Sequence, residues 1–177
     1  MKPTRRSFLA AGGGAALASL LGVLAGLRHG VAQAAPADFP VVRSDAQWRA
    51  LLTPEQYRIL RQASTERPYS SPLDHEHRAG TYACAGCGQA LFSSGTKFDS
   101  GTGWPSFWQP LPHAVGTAGD HSYGMVRTSV HCARCGGHLG HVFDDGPPPT
   151  GLRYCMNGAA MQFAPSASPA ASTRSPS

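Results

Sequence analysis

The 177-residue sequence is poor in charge, since only 14% of its residues are Asp, Glu, Lys or Arg, against about 25% in an average soluble domain. This scarcity excludes a coiled coil and a highly charged disordered chain. Acidic residues are absent from the first 34 positions, whereas the rest of the chain holds 11 basic and 10 acidic residues. The formal charge of +5 therefore belongs mostly to the N-terminal segment, and the remainder lacks the positive charge expected of a nucleic-acid-binding protein.

Long stretches free of glycine and proline are also scarce. The 21 glycines and 15 prolines make up about a fifth of the sequence and are scattered through it, which argues against a helical bundle and favours short strands joined by turns. One short helix is predicted after Thr53, because Thr53 is a capping residue, Pro54 suits the first helical position and Gln56 completes a capping box.

Short runs with strand character follow this helix. In the clearest run Val126, Thr128 and Val130 alternate with Arg127 and two further residues, so that the two sets lie on opposite faces. The predicted strands are residues 81–84, 90–92, 125–132, 141–144, 152–156 and 160–163.

Residues 1–34 are typical of an export signal: a basic start, an uncharged stretch at 7–27, and small residues at positions 32 and 34. The Thr-Arg-Arg-Ser-Phe-Leu segment at 4–9 resembles a twin-arginine export motif. The uncharged stretch could alternatively be retained as a membrane anchor, although its glycines favour a cleaved leader. We therefore expect a periplasmic protein that uses the twin-arginine translocase as a partner.

The rest of the chain divides into three predicted segments. Residues 35–44 form a linker and residues 45–163 form one catalytic domain, which is too small to divide further. Residues 164–177 contain only Ala, Pro, Ser, Thr and one Arg, a composition that cannot bury enough apolar surface to fold. We expect this last segment to be a disordered tail.

Four cysteines form two Cys-x-x-Cys pairs, each followed by glycine and separated from the other by 44 residues. Two such turns can direct four sulfurs at one tetrahedral Zn²⁺. Disulfides of an oxidising compartment and redox-active pairs are the alternatives. We favour a closed structural zinc site with no free coordination position, whose predicted ligands are Cys84, Cys87, Cys132 and Cys135.

The fifth cysteine, Cys155, has no sequence partner, and an odd cysteine in an exported protein is a candidate reactive thiol. The alternative is a small buried apolar residue. Arg153 and Asn157 lie two positions to either side, so in an extended segment all three side chains share one face. A guanidinium near a thiol stabilises the thiolate, which is the nucleophilic form.

Other chemically active residues cluster in two segments. His138 and His141 precede Asp144 and Asp145, which supplies imidazoles that can exchange protons near neutral pH and carboxylates that can orient them. One of the two aspartates is expected to be an ordinary turn residue. Trp104 lies in a glycine-rich loop, where it can belong to the core or form a wall for a small apolar group.

From about residue 52 to residue 163 the sequence resembles the B-type peptide methionine sulfoxide reductases, which act on the R epimer of methionine sulfoxide. The resemblance implies a mainly β fold of two antiparallel sheets with a short N-terminal helix and a four-cysteine zinc site. It is carried by segments 65–69 (Thr-Glu-Arg-Pro-Tyr), 84–88 (Cys-Ala-Gly-Cys-Gly), 97–101 (Lys-Phe-Asp-Ser-Gly), 103–107 (Gly-Trp-Pro-Ser-Phe), 138–143 (His-Leu-Gly-His-Val-Phe) and 153–157 (Arg-Tyr-Cys-Met-Asn).

The resemblance also implies roles for the candidate residues. Cys155 would attack the sulfoxide sulfur and become a sulfenic acid, while Trp104 would contact the terminal methyl group of the substrate. Tyr69 stands on the implied aromatic wall, where phenylalanine is common in the family. The surrounding catalytic residues would be His138, His141, Asp145, Arg153 and Asn157, with the histidines binding or protonating the sulfoxide oxygen.

One departure from the family concerns enzyme recycling. Many members carry a resolving cysteine where this sequence has Thr102. The resemblance then implies that an external thiol, such as a thioredoxin-like protein, reduces Cys155 after it has acted on oxidised proteins that contain methionine-R-sulfoxide. The competing classes are a cysteine hydrolase or acyltransferase, which also combines Cys and His, and a zinc-ribbon binding module in which Cys155 is incidental.

Overall fold

The computed structural model describes residues 39–166. The predicted leader, four residues of the predicted linker and all but three residues of the predicted tail lie outside this part of the chain. Within residues 39–166, none of the helices has the length and apolar character needed to cross a membrane.

Two short helices, α1 (Asp45–Leu51) and α2 (Pro54–Gln62), begin the described chain. Both start with a capping box, in which Ser44 or Thr53 accepts a hydrogen bond from the backbone of the glutamine three residues later, and that glutamine side chain accepts one in return. The helix predicted after Thr53 is confirmed. Helix α1 was not predicted, although its capping box has the same sequence pattern.

Within residues 39–166, nine strands form two antiparallel sheets, and this two-sheet architecture is the predicted one. One sheet has three strands in the order β2-β1-β9, and the other has six in the order β3-β4-β8-β7-β6-β5. The strands are β1 Gly80–Cys84, β2 Ala90–Ser93, β3 Lys97–Phe98, β4 Ser106–Phe107, β5 Val115–Asp120, β6 Arg127–Cys132, β7 His138–Phe143, β8 Arg153–Met156 and β9 Met161–Pro165.

Each of the six predicted strands coincides with an observed strand, with shifted ends. Strand β9 ends at Pro165, which is opposite Gly80 of β1, so pairing extends two residues past the predicted domain end at 163. Strand β6 starts later than predicted, and Val126 is 82% exposed whereas Val130 is fully buried. The predicted apolar face of this strand is therefore buried at its C-terminal half only.

Three strands were not predicted. Strands β3 and β4 have two residues each, which is too short for an alternating pattern to show. Strand β5 (Val-Gly-Thr-Ala-Gly-Asp) has no fully buried residue and contains two glycines, which are depleted in strands. Its pairing with β6 along six residue pairs comes from backbone hydrogen bonding at the sheet edge rather than from side-chain burial.

The core lies between the two sheets and contains an aromatic stack that joins them. Phe92 of the smaller sheet stacks on Phe107 of the larger sheet with 4.3 Å between ring centroids, and Tyr82 meets Phe107 edge-on at 4.9 Å. All three rings are fully buried, and each such side chain contributes about 1.5–3 kcal/mol by burial. Because Phe107 lies in β4, this stack anchors the strand that pairs with β8.

Candidate active site

Cys155 occupies a central position in the larger sheet. It lies in β8, opposite Ser106 of β4 on one side and opposite His141 of β7 on the other. A cavity of about 200 Å³ opens at this point. It is lined by Thr65, Trp104, Arg127, Gly140, His141, Phe143, Cys155 and Asn157.

Four residues that the sequence analysis selected line this cavity together: Cys155, Trp104, His141 and Asn157. The other four selected catalytic or substrate-binding residues do not line it; these are His138, Asp145, Arg153 and Tyr69. The structure therefore divides the predicted site into residues that line the cavity and residues that lie around it.

The Cys155 thiol is half-buried, and this burial raises its pKa above the ordinary value. Three neighbours act in the opposite direction: the Thr102 hydroxyl, whose oxygen is 3.8 Å from the sulfur, the positive charge of Arg153, and the Ser106 hydroxyl. Asp145 accepts two hydrogen bonds of 2.8 Å from the Arg153 guanidinium. Asp145 therefore acts on the thiol through Arg153, by fixing where that guanidinium lies.

His141 belongs to a hydrogen-bond network around Asp120 that sequence reasoning missed. Its Nε2 is 2.7 Å from an oxygen of Asp120, and the same oxygen accepts a hydrogen bond of 2.6 Å from Arg127. Hydrogen bonds from Ser122, followed by that from His141, keep the pKa of Asp120 well below its usual range. No motif marks Asp120 or Arg127, because strands β5 and β6 are brought together only by the fold.

His138 reaches the same side of the sheet through a β-bulge. The register slips between the pairs Val130–Gly140 and His131–His138, and as a result the His138 and His141 rings meet edge-on with 5.3 Å between centroids. His138 is 8% exposed and its Nδ1 is 3.1 Å from the Ser129 hydroxyl. Burial lowers the pKa of His138 to about 4, so this ring is neutral at pH 7, and His141 is the imidazole placed to serve the cavity.

The depressed pKa of His138 predicts a pH-dependent loss of stability. The folded-state pKa of about 4 lies below the unfolded value of about 6.5, so the folded protein binds fewer protons and loses stability as the pH falls from 6.5 to 4. His138→Asn should remove about 2–3 kcal/mol of the stability difference between pH 7 and pH 4.5. Urea unfolding of both proteins at the two pH values measures this difference.

The same comparison carries its own control, because all other titrating groups, including the partly buried His131 with its lowered pKa, are shared by the two proteins. If the free energies of unfolding of the two proteins had the same pH dependence, His138 would be protonated as easily in the folded state as in the unfolded state. That result would contradict the argument that burial lowers its pKa.

Glu66, which the sequence analysis did not select, connects two walls of the cavity. Its backbone carbonyl accepts a hydrogen bond from Trp104 Nε1 at 3.2 Å, and its backbone N–H donates to Asn157 Oδ1 at 2.9 Å. Its buried carboxylate accepts hydrogen bonds of 2.6 and 2.8 Å from the backbone N–H groups of Gly158 and Ala159. Burial raises the pKa of this carboxyl. Two of the four hydrogen bonds hold Trp104 and Asn157 directly, and the other two fix the backbone that follows Asn157.

Tyr69 lies against the loop that carries Thr102. Its hydroxyl donates to the Gly101 carbonyl at 2.8 Å, its backbone N–H donates to the Gly103 carbonyl at 2.7 Å, and the residue is 63% exposed. The structure thus places Tyr69 against the 101–103 loop, outside the set of residues that line the cavity.

The four paired cysteines form a second cluster, in which all the sulfur atoms lie within 4.8 Å of one another. The Cys84–Cys135 and Cys87–Cys132 sulfurs are 3.8 and 3.6 Å apart, and none of the protein's five cysteines forms a disulfide. Sulfurs at about 2.3 Å from a tetrahedral ion stand about 3.8 Å apart. The cluster therefore has the dimensions of a four-sulfur metal site.

The local backbone explains how these sulfurs converge. Gly88 and Gly136, which follow the two Cys-x-x-Cys turns, have φ angles of 72° and 67°, a left-handed conformation that disfavours other residues. Cys84 ends β1 and Cys132 ends β6, so the cluster links the smaller sheet to the larger one.

Comparison with known proteins agrees with this geometry. Residues 52–165 match the SelR domain family. The chain is 59% identical over 129 residues to a peptide methionine sulfoxide reductase MsrB of Bradyrhizobium diazoefficiens, covering 72% of this chain and 93% of the relative. It is 59% identical over 126 residues to the protein of that name from Agrobacterium fabrum, covering 71% and 93%. It is 55% identical over 124 residues to that of Methanosarcina barkeri, covering 70% and 87%.

The region that matches the family contains the aromatic loop, both cysteine pairs and the Cys155 strand. It starts between the two helices and ends at the last residue of β9. The chain therefore belongs to the SelR domain family of B-type methionine sulfoxide reductases.

Proposed function

We propose that the protein is a peptide-methionine (R)-S-oxide reductase that repairs oxidised proteins through the thiol of Cys155. The observation that carries this proposal is the separation of the five cysteines into two environments: four share one cluster, and Cys155 alone lines a cavity with an indole and an imidazole. The names of the family relatives support the reaction. A cysteine hydrolase would need an acyl substrate in the same cavity, whereas the relatives are named as reductases.

The chemical step follows from the arrangement. The thiolate of Cys155 attacks the sulfoxide sulfur, His141 delivers a proton to the sulfoxide oxygen directly or through water, and the oxygen ends on Cys155 as a sulfenic acid. One thiol and one sulfoxide become one sulfenic acid and one sulfide, so the substrate sulfur gains the two electrons that Cys155 loses. Trp104 offers an apolar face for the terminal methyl group, and Arg153 supports the thiolate charge.

The sulfenic acid must then be removed by a thiol from another molecule. Thr102 stands 3.8 Å from the Cys155 sulfur, where a cysteine could form an internal disulfide, and the remaining cysteines belong to the four-sulfur cluster. An external thiol condenses with the sulfenic acid to give a mixed disulfide and water, and a second thiol releases Cys155. A thioredoxin-like protein is the partner that fits this chemistry.

This recycling route predicts a trappable intermediate. Treating the reduced protein with one equivalent of the sulfoxide and dimedone should give a Cys155 adduct in most chains, whereas Thr102→Cys should form a 102–155 disulfide and lower the adduct yield by at least about tenfold. Intact-mass and peptide mass spectrometry of both proteins measure the two products. An internal disulfide in the unmodified protein would contradict the proposed route.

We also propose that the four-sulfur cluster holds a structural Zn²⁺ with Cys84, Cys87, Cys132 and Cys135 as ligands. Four thiolates complete tetrahedral coordination and leave no position for substrate. Bound zinc would supply a cross-link between the two sheets, and the chemistry at Cys155 does not require it.

The leader supports a proposal about location. The residues at 4–9 match a twin-arginine motif, and we propose export to the periplasm by the twin-arginine translocase, which carries folded proteins and would let the zinc site form beforehand. Replacing Arg5 and Arg6 by lysine should leave the protein in the cytoplasmic fraction. Equal periplasmic yield of the two forms would exclude this route.

A further inference from the structure

Three hydroxyl groups form a continuous chain that starts at the Cys155 sulfur. The Thr102 oxygen is 3.8 Å from the sulfur and 2.8 Å from the Ser100 oxygen. The Ser100 oxygen is 2.8 Å from the Ser106 oxygen. Ser106, which is fully buried, lies 3.1 Å from the backbone carbonyl oxygen of Trp104. The chain thus runs from a group that can lose a proton to a group that can only accept a hydrogen bond.

Each hydroxyl in this chain has one proton, so the hydrogen bonds can run in either of two directions. When Cys155 is a thiol, it can donate to Thr102, Thr102 to Ser100, Ser100 to Ser106, and Ser106 to the carbonyl of Trp104. When Cys155 is a thiolate, Ser106 can donate to Ser100, Ser100 to Thr102, and Thr102 to the sulfur. Rotation of three hydroxyls converts one state to the other without moving a heavy atom.

We propose that this hydroxyl chain reverses its hydrogen-bond direction when Cys155 ionises, and that it thereby stabilises the attacking thiolate. In this proposal Thr102 is a catalytic residue because it contacts the reacting sulfur, and Ser100 is a positioning residue that acts through it. Ser106, which lies opposite Cys155 in the sheet, interacts with both the Ser100 hydroxyl and the sulfur. Hydrogen bonds in a chain strengthen one another, and a hydrogen bond to a charged acceptor is stronger than one between neutral groups. The inference deepens the proposed function, on which it rests, by giving Thr102 a role of its own.

The charged side chains around the sulfur have hydrogen-bond partners of their own. Arg153, from the same strand, carries a positive charge that acts on the sulfur, and its guanidinium is hydrogen-bonded to Asp145. His141 and Arg127 face the cavity from β7 and β6, and both are engaged by Asp120. The remaining charged groups on adjoining segments are directed elsewhere: Asp99 accepts from the Gly101 backbone, and Glu66 accepts from Gly158 and Ala159. From segment 100–106, the neutral hydroxyls of Thr102 and Ser106 act on the sulfur.

The test is the pH dependence of Cys155 alkylation in the zinc-loaded full chain. Iodoacetamide reacts with the thiolate, and mass spectrometry of the Cys155 peptide follows this residue separately from the other four. Thr102→Val keeps the side-chain shape and removes the hydroxyl, so it should raise the apparent pKa of Cys155 by about one unit and lower alkylation at pH 7 about tenfold. Thr102→Ser should restore the unmodified profile.

Ser100→Ala provides a second variant at a residue that does not contact the sulfur. It should raise the apparent pKa by a smaller amount than Thr102→Val, because Thr102 keeps its hydroxyl and loses only its donor. Thr128→Val, an exposed strand position, is the matched control and should change nothing.

An unchanged alkylation profile in Thr102→Val and in Ser100→Ala would overturn the proposal, as would a shift in Thr102→Val that Thr102→Ser fails to restore. Alkylation does not depend on sulfoxide reduction. A shifted alkylation profile together with absent reductase activity would therefore support the hydroxyl chain and contradict the proposed function. An unchanged profile together with reductase activity would contradict the hydroxyl chain only.

Discussion

Replacing Cys155 by serine is expected to lower the rate of methionine-R-sulfoxide reduction by at least about 10⁴-fold, a loss of the size found when an enzyme's nucleophile is removed. The alcohol has nearly the size of the thiol but ionises far less readily, and it cannot accept the oxygen to form a sulfenic acid. The measurement is the steady-state formation of methionine from a blocked R-sulfoxide with dithiothreitol as the reductant.

The control for this variant is its structure. Cys155 lies in β8, away from the four-sulfur cluster, so the serine variant should keep a zinc content of one ion per chain and a midpoint of thermal unfolding close to that of the unmodified protein. A variant that is folded, loaded with zinc and still active at more than a few per cent would show that another residue attacks the sulfoxide.

Replacing Cys132 by serine is expected to abolish folding at ordinary temperature. Cys132 is fully buried and lies where the two sheets meet at the four-sulfur cluster. Structural zinc contributes about 10–16 kcal/mol in small zinc domains, whereas a typical domain is stable by about 5–15 kcal/mol in total. Loss of the ion therefore removes most or all of the net stability, which circular dichroism and zinc analysis of the purified variant measure.

A chelator should give the same result in the unmodified protein, with unfolding that follows the release of one zinc ion per chain and is reversed by adding zinc. Cys155→Ser serves as the matched cysteine control, since it removes one thiol and none of the proposed ligands. A Cys132→Ser protein with an unchanged unfolding midpoint would mean that the cluster does not hold a stabilising metal.

The local parts of the fold could be predicted because their signals are local. The capping box at Thr53 marks α2, and the glycines after the cysteine pairs take the left-handed conformation that the tight turns require. Helix α1 carries the same capping pattern at Ser44, so the sequence contained the information for it. Strand β5 has no such signal, because no residue in it is fully buried.

Candidate residues that are close in sequence could be grouped from the sequence alone. Arg153 and Cys155 alternate along β8, and Asn157 directly follows the end of this strand. The network of Asp120, Arg127 and His141, by contrast, depends on the register of three strands. The bulge that places His138 beside His141 is likewise a property of strand pairing.

Two other features depend on contacts between distant segments. Glu66 is 91 residues from Asn157, to which its backbone N–H donates a hydrogen bond. No sequence pattern in either segment predicts this contact. Tyr69 lies within a family motif, yet its hydroxyl is turned to the Gly101 carbonyl. A motif thus identifies which segments meet at the site, and only the structure shows which side chains reach the cavity.

The most direct test of the account is a single turnover without reductant. The reduced, zinc-loaded protein is mixed with an excess of either epimer of a blocked methionine sulfoxide, and the methionine product is counted against Cys155. We expect one methionine per chain from the R epimer, none from the S epimer, and loss of one free thiol at Cys155. No product from the R epimer, or equal product from both epimers, would contradict the assignment of Cys155 as the nucleophile of an R-specific reductase.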